Sequence, residues 1–373
     1  TIASSLTHMC QGAGQMLFDR LRSWFRPRTA VEVEPASPPA PGRQRGVVDH
    51  VIILDGTLST LEKGQEGNCG LLFRLLTENG ISANRTVYYE PGHQWDGWRN
   101  FPALAQGTGI NAQIRRAYGW LASHYREGDR IYLFGYSRGA YAVRSLAGVI
   151  DRIGLLTRQN ATERMVRQSY RHYKTGPDSP VARAFAALYC HRSAPIQMVG
   201  VWDTVKALGV RLPLLWMLTD KQSAFHNHQL GASVRHGFHA LAIHETRAVF
   251  DPVMWECPEG RESTVQQVWF RGAHGDIGGH IGRFVACRPL ANIPFVWMLE
   301  NAERAGLLLP AGWVARFPCD PKAPMVGTFR GVGMIFLLRR ARVIGRDRSE
   351  SIHESAQGQR PFSWTPWPLT RLY

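Results

Sequence analysis

The pattern of apolar and polar positions along the chain changes near residue 47. Upstream, Met9, Ala13, Met16, Leu17, Leu21 and Trp24 recur at helical spacing beside Arg20, Arg22, Arg26 and Arg28, which predicts a basic amphipathic helix. Pro27 ends it, and Pro35, Pro38, Pro39 and Pro41 stiffen Glu34–Arg45 into an extended linker. No signal-peptide cleavage pattern is legible there. Downstream, short apolar runs alternate with longer helical ones. Val48–Leu54, Thr86–Tyr89, Arg130–Phe134, Ile196–Trp202 and Val265–Phe270 read as strands. Asn111–Tyr125, Gly139–Ile153 and Arg288–Gly306 read as helices, and Thr162–Tyr189 as two helices parted by Gly176-Pro177. This alternation predicts an α/β fold with a mostly parallel sheet and helices on both faces. Three parts follow: residues 1–46 as helix plus linker, 47–355 as the α/β domain, and 356–373 as an irregular tail, with basic, irregular sequence already from Arg342.

Composition narrows the classes. With 44% hydrophobic and 20% charged residues over 373, wholesale disorder is excluded. The longest apolar runs, about ten residues around Leu212–Leu218 and Leu290–Leu299, fall short of the roughly 18 that a spanning helix needs. Cys10, Cys69, Cys190, Cys257, Cys287 and Cys319 lie far apart without a C-x-x-C pair and read as reduced. The net charge of +15 favours anionic partners: phospholipid, nucleic acid or phosphorylated substrates. Basic runs such as Arg339-Arg340-Ala341-Arg342 come without a zinc-finger, RNP or P-loop signature, so no specific nucleic acid is expected.

The sharpest chemical signal is Gly135-Tyr136-Ser137-Arg138-Gly139-Ala140, set between an apolar strand and an amphipathic helix. A strand-to-helix turn this tight needs glycine on both sides, and it lifts the Ser137 hydroxyl above the sheet edge as a nucleophile. The Arg138 N–H at the helix start then faces the oxygen that becomes negative in acyl transfer. Such a serine needs a base and an orienting acid, in chain order serine, acid, histidine. Asp203 ends the Ile196–Trp202 strand, and His274 follows Val265–Phe270 in the glycine-rich stretch Arg271–Gly279. His280, His244 and His353 are rival bases, and Asp276 a rival acid. The second oxyanion donor is expected from Gly56 or Thr57, while Asp55 reads equally as a turn former. Strand-D-G-T-L also suggests a haloacid-dehalogenase-type phosphatase, but its nucleophilic aspartate would fall at Ile53, which cannot attack phosphorus. His226-Asn227-His228 and His274, Asp276 and His280 lack a recognised metal-ligand spacing, so neither metal nor cofactor is expected.

Six linked stretches carry a resemblance: D-G-T after the first strand, G-Y-S-R-G-A, V-W-D-T-V, W-F-R-G-A-H-G-D-I-G-G, L-A-N-I-P-F-V-W-M-L and I-H-E-S at Ile352–Ser355. Together they resemble the α/β-hydrolase domain family found in type VI secretion phospholipase effectors and in many uncharacterised bacterial proteins. The resemblance implies Ser137 as nucleophile with Asp203 and His274 completing the triad, and phospholipid acyl esters as the substrates of the phospholipase members. In Ala242-Ile243-His244-Glu245 the family pattern usually carries an acidic residue where His244 stands, which puts Asp203 in question as the acid. The large membrane-binding regions of the secreted effectors are not among these stretches.

The resulting expectation is an α/β-hydrolase-like serine esterase or lipase acting on lipid or phospholipid acyl esters, with a helical lid inserted over Asn160–Tyr189 and Leu212–Leu218. A catalytically inactive scaffold that binds an anionic membrane or nucleic acid is the alternative. The expected setting is cytoplasmic, peripheral at an anionic membrane, with type VI secretion left open.

Overall fold

The computed structural model describes residues 30–33, 46–57, 59–78, 84–92, 108–205, 229–261, 264–328, 338–359 and 361. The expected N-terminal amphipathic helix, most of the linker, the Leu212–Leu218 run and His226-Asn227-His228 lie outside them.

Among the described residues eight strands form one sheet: β1 (Val31–Val33), β2 (Asp49–Leu54), β3 (Arg85–Glu90), β4 (Arg130–Tyr136), β5 (Ile196–Trp202), β6 (Val234–Ala242), β7 (Val265–Phe270) and β8 (Glu350–Ile352). Their order across the sheet is β1-β3-β2-β4-β5-β6-β7-β8. Of these eight strands only β1 runs antiparallel to its neighbour. The near-continuous apolar character of β2, β4 and β5 is what a parallel strand buried on both faces requires. Alternation sorts their side chains. Ile52, Leu54, Ile131, Leu133, Val199 and Val201 join a core with the helices α2 (Thr108–His124), α3 (Arg138–Arg152), α4 (Glu163–Thr175) and α5 (Pro180–Tyr189). Val51, Ile53, Tyr132, Phe134, Met198 and Trp202 face α1 (Asn68–Thr77) and α7 (Arg288–Arg304) in a second core. The helices expected over 160–189 are α4 and α5. Val166, Tyr170, Tyr173 and Phe185 seat them in the first core, and Ser169 donates to Tyr118 of α2.

Four elements outside the candidate site depart from the sequence expectations. The strand β1 lies in the stretch assigned to helix plus linker and β8 in the stretch assigned to irregular sequence, so the sheet extends at both edges beyond its legible strands. The helix α1 and the strand β6 carried no expectation. Strand β6 is interrupted by Arg235, His236, Gly237 and His239, yet it runs between β5 and β7. His239 is tolerated there because its Nε2 accepts the Thr204 N–H at 3.1 Å, and burial pushes its pKa down to about 3, so the ring stays neutral. Among the described residues no helix is long and apolar enough to cross a membrane.

Candidate active site

Register brings the chemistry to one edge of the sheet. Leu54 of β2 lies opposite Gly135 of β4, and Tyr136 lies opposite Trp202 of β5, so Asp55, Ser137 and Asp203 leave neighbouring parallel strands at the same carboxyl end. Ser137 alone separates β4 from α3. It has φ 57° and ψ −120°, and Asp203 has φ 42°. Among the described residues these are the only non-glycine residues with positive φ, so the backbone strain of the fold is concentrated on the two. The serine is held there by its N–H, which donates to the Trp202 carbonyl at 3.0 Å.

A hydrogen-bonded relay connects three expected residues. Ser137 Oγ lies 2.9 Å from His274 Nε2, and His274 Nδ1 lies 2.6 Å from Asp203 Oδ2. All three are buried. His274 starts a short helix, α6 (His274–Gly278), where a loop was expected. Its ring is stacked between Tyr136 and Phe250, with centroids at 4.8 and 4.7 Å. Its N–H donates to the Glu245 carboxylate at 3.1 Å, and its carbonyl accepts from the Tyr136 hydroxyl. Ring plane and backbone are therefore both fixed.

The residue that sequence reasoning missed is Arg342. It belongs to a basic run that carried no recognition signature and so no assigned role, yet it is buried. Its guanidinium donates to Asp203 Oδ1 at 2.5 Å and Oδ2 at 2.9 Å, and to the carbonyls of Ala242 and Phe250. The Ala242 N–H adds a bond to Asp203 Oδ1 at 3.1 Å. Burial alone would raise the Asp203 pKa. The Arg342 charge and the bonds from His274 and Arg342 outweigh it and hold the carboxyl far below the usual range. An arginine this far along the chain from Asp203 leaves no local pattern to detect.

The oxyanion expectation is corrected at Gly56. Its N–H donates to Asp55 Oδ1 at 2.7 Å and has no donor left for a substrate. The N–H groups of Thr57 and of Arg138, the first residue of α3, have no acceptor among the described residues. Gly56 instead gives close approach, since a Cβ there would lie 3.3 Å from Ser137 Cβ.

Asp55, which also accepts from the Tyr89 hydroxyl at 2.8 Å, therefore holds this corner. Burial is the largest influence on its carboxyl and pushes it up to about 6, against hydrogen bonds from Tyr89, Gly56, Ser59 and Cys69 that pull it down. Between the ordinary value of 3.8 and about 6, the folded chain keeps a proton that the unfolded chain has released. Stability accordingly declines as pH rises through that window, by about 3 kcal/mol in total. Asp55→Asn retains an acceptor for Gly56 and should remove the decline. Urea unfolding across the window checks this, and identical slopes in both proteins would contradict it.

The rivals are engaged elsewhere. His244 Nδ1 accepts the Gly272 N–H, and His353 bonds Ser355 and stacks on Phe270. Burial lowers His280 to about 4, and it packs on Tyr136. Asp276 accepts from the N–H groups of Ala273, Val326 and Gly327, so it organises a loop rather than a base. Ile53, where a phosphatase nucleophile would stand, is fully buried in the second core. Among the described residues no three His, Cys, Asp or Glu side chains group as a metal site.

A family profile described as the catalytic domain of type VI secretion system Tle1-like phospholipase effectors matches residues 49–301. The uncharacterised protein YEL023C of Saccharomyces cerevisiae is 27% identical over 226 residues, which cover 54% of this chain and 31% of that protein. Similar solved structures include an uncharacterised protein from Pseudomonas aeruginosa, at 16% identity and TM-score 0.42 over 74% of this chain and 49% of that one. The Tle1 effector bound to the VgrG spike of the type VI secretion system matches at 18% identity and TM-score 0.34, over 64% and 52%. Esterase 2 of Thermogutta terrifontis matches at 12% identity and TM-score 0.40, over 75% and 91%. The chain thus spans about a third of the yeast relative and about half of the first two solved structures. With the profile covering well over half of its length, this chain belongs to the family of Tle1-like phospholipase effector catalytic domains.

Proposed function

We propose that this chain hydrolyses carboxylic esters of phospholipids through an acyl-enzyme on Ser137. The observation that carries the reading is the Ser137–His274–Asp203 relay on a strained elbow. Ser137 Oγ attacks the ester carbonyl carbon while His274 Nε2 takes its proton. The resulting oxyanion is received by the N–H groups of Arg138 and Thr57, two donors without an acceptor among the described residues. Collapse expels the alcohol, which takes the proton from Nε2, and water then repeats the sequence to release the fatty acid. Asp203, ionised by its pairing with Arg342, keeps the proton of neutral His274 on Nδ1 and leaves Nε2 as the base. Family membership supports the lipid substrate, and the net charge of +15 supports peripheral contact with an anionic surface.

The test is intact-protein mass spectrometry after exposure to a fluorophosphonate probe. One adduct per chain is expected, lost in Ser137→Ala and His274→Ala variants that retain their thermal transitions. A folded wild-type protein that stays unlabelled, or a Ser137→Ala variant labelled to the same extent, would remove the reading.

A further inference from the structure

We propose that the Arg138 guanidinium is the group that receives the phosphodiester anion of the lipid substrate, so that one residue supplies an oxyanion donor from its backbone and a headgroup ligand from its side chain. The inference rests on Ser137 being the nucleophile.

Several other buried or half-buried arginines end on a carboxylate or on backbone carbonyls, although Arg342 Nε and one terminal nitrogen of Arg288 stay without a partner among the described residues. Arg342 and Arg247 face Asp203 and Glu245, Arg130 faces Asp49, and Arg144 and Arg288 end on backbone carbonyls. Arg138 differs from all of them. Among the described residues its side chain donates only to Thr57 Oγ1, and no carboxylate there pairs with it. Burial lowers its pKa to about 10, so it remains a cation at neutral pH. A mostly buried guanidinium without an anion is costly, and among the described residues five N–H donors are answered by a single hydroxyl, which leaves most of its hydrogen-bonding capacity unused. Arg138 is half-buried, so its guanidinium is not sealed from solvent.

Its position suits an anion on the reacting substrate. Thr57, the residue it touches, lies beside Gly56, which abuts Ser137. Five covalent bonds separate the sn-2 acyl carbon of a glycerophospholipid from its phosphorus, and five separate an arginine Cα from its Cζ. An ester carbonyl on Ser137 therefore carries its phosphate to about the reach of the next side chain. The planar guanidinium matches two phosphate oxygens at once, which a lysine cannot do.

Dihexanoylphosphatidylglycerol below its micelle concentration presents the phosphodiester without a membrane surface, and dihexanoylglycerol presents the same esters without the phosphate. The ratio of kcat/KM for the first over the second is expected to fall by about 10- to 100-fold in Arg138→Gln and to recover in part in Arg138→Lys. Inorganic phosphate should also compete with dihexanoylglycerol in the wild type, and more weakly in the Gln variant, which gives a readout on the unaltered protein. Equal losses on both substrates would mean that Arg138 only props Thr57, and this would overturn the proposal. A preference for the phosphodiester only on anionic vesicles, unaffected by either variant, would assign it to the surface charge and overturn it too. A wild type that cleaves neither ester and takes no fluorophosphonate label would remove the Ser137 reading itself, whereas labelling and ester cleavage with an unchanged ratio would sink this inference alone.

Discussion

An Arg342→Met variant is expected to lose about 100-fold in turnover and about 3–5 kcal/mol in stability. The methionine fills much of the volume but leaves Asp203 as a fully buried carboxylate whose charge is met only by His274 and the Ala242 N–H. Breaking a buried pair from one side is the costly case, because the remaining ion can neither leave nor be solvated. The two carbonyls of Ala242 and Phe250 lose their donor as well. Turnover falls less than the roughly 10,000-fold seen when the acid of such a triad is disabled, because Asp203 still reaches His274.

A pH profile separates positioning from mere stability. Asp203 is held ionised largely by Arg342, so its stabilising contribution is present above the unfolded value of 3.8 and lost as pH falls toward the lower folded value. Without the cation the folded carboxyl protonates at higher pH, and the acid limb of kcat should move upward. Arg342→Lys should restore part of the rate, since an ammonium supplies the charge but not the two-pronged bond. An unmoved acid limb, with turnover within about twofold of wild type, would show that Arg342 does not tune Asp203.

The core of this site was legible because each of its parts has a local signature. A serine between glycines after an apolar strand, an aspartate ending the next legible strand and a histidine after another one lie at the carboxyl ends of parallel strands, and the sheet then brings them together. What the sequence concealed is of two kinds. Strand β6 carries histidines and an arginine that break the apolar run, and its place in the centre of the sheet depends on a tertiary bond from Thr204 to His239. Arg342 and the strand β8 lie in a stretch whose basic character describes an exposed tail equally well, and only the folded sheet returns that stretch to Asp203. Gly56 shows a third limit. The residue type and the corner were legible, but whether its N–H faces substrate or Asp55 is a matter of orientation that no sequence pattern records.

The second large effect is expected at Gly139, where alanine should cost more than about 3 kcal/mol and about 100-fold in activity. A Cβ at this position would lie 2.1 Å from the Leu54 carbonyl oxygen, 2.5 Å from its carbon and 2.6 Å from the Asp55 oxygen. These are backbone atoms of a central strand and of the corner that carries Thr57, so no side chain can rotate away to relieve the clash. Helix α3 would have to lift off the sheet, taking Ser137 and the Arg138 N–H with it, and a displacement of about 1 Å in such groups is enough for the activity loss. Gly119 provides the contrast. It also sits within a helix, α2, but its added Cβ would meet Val166 at 3.4 Å, an ordinary contact. Alanine there should stabilise by about 0.5–1 kcal/mol, because it removes backbone freedom from the unfolded chain. Thermal melts and ester turnover of the two variants read both effects. If Gly139→Ala melts with the wild type and keeps its activity, the close seating of α3 against β2 cannot be what holds the elbow in place.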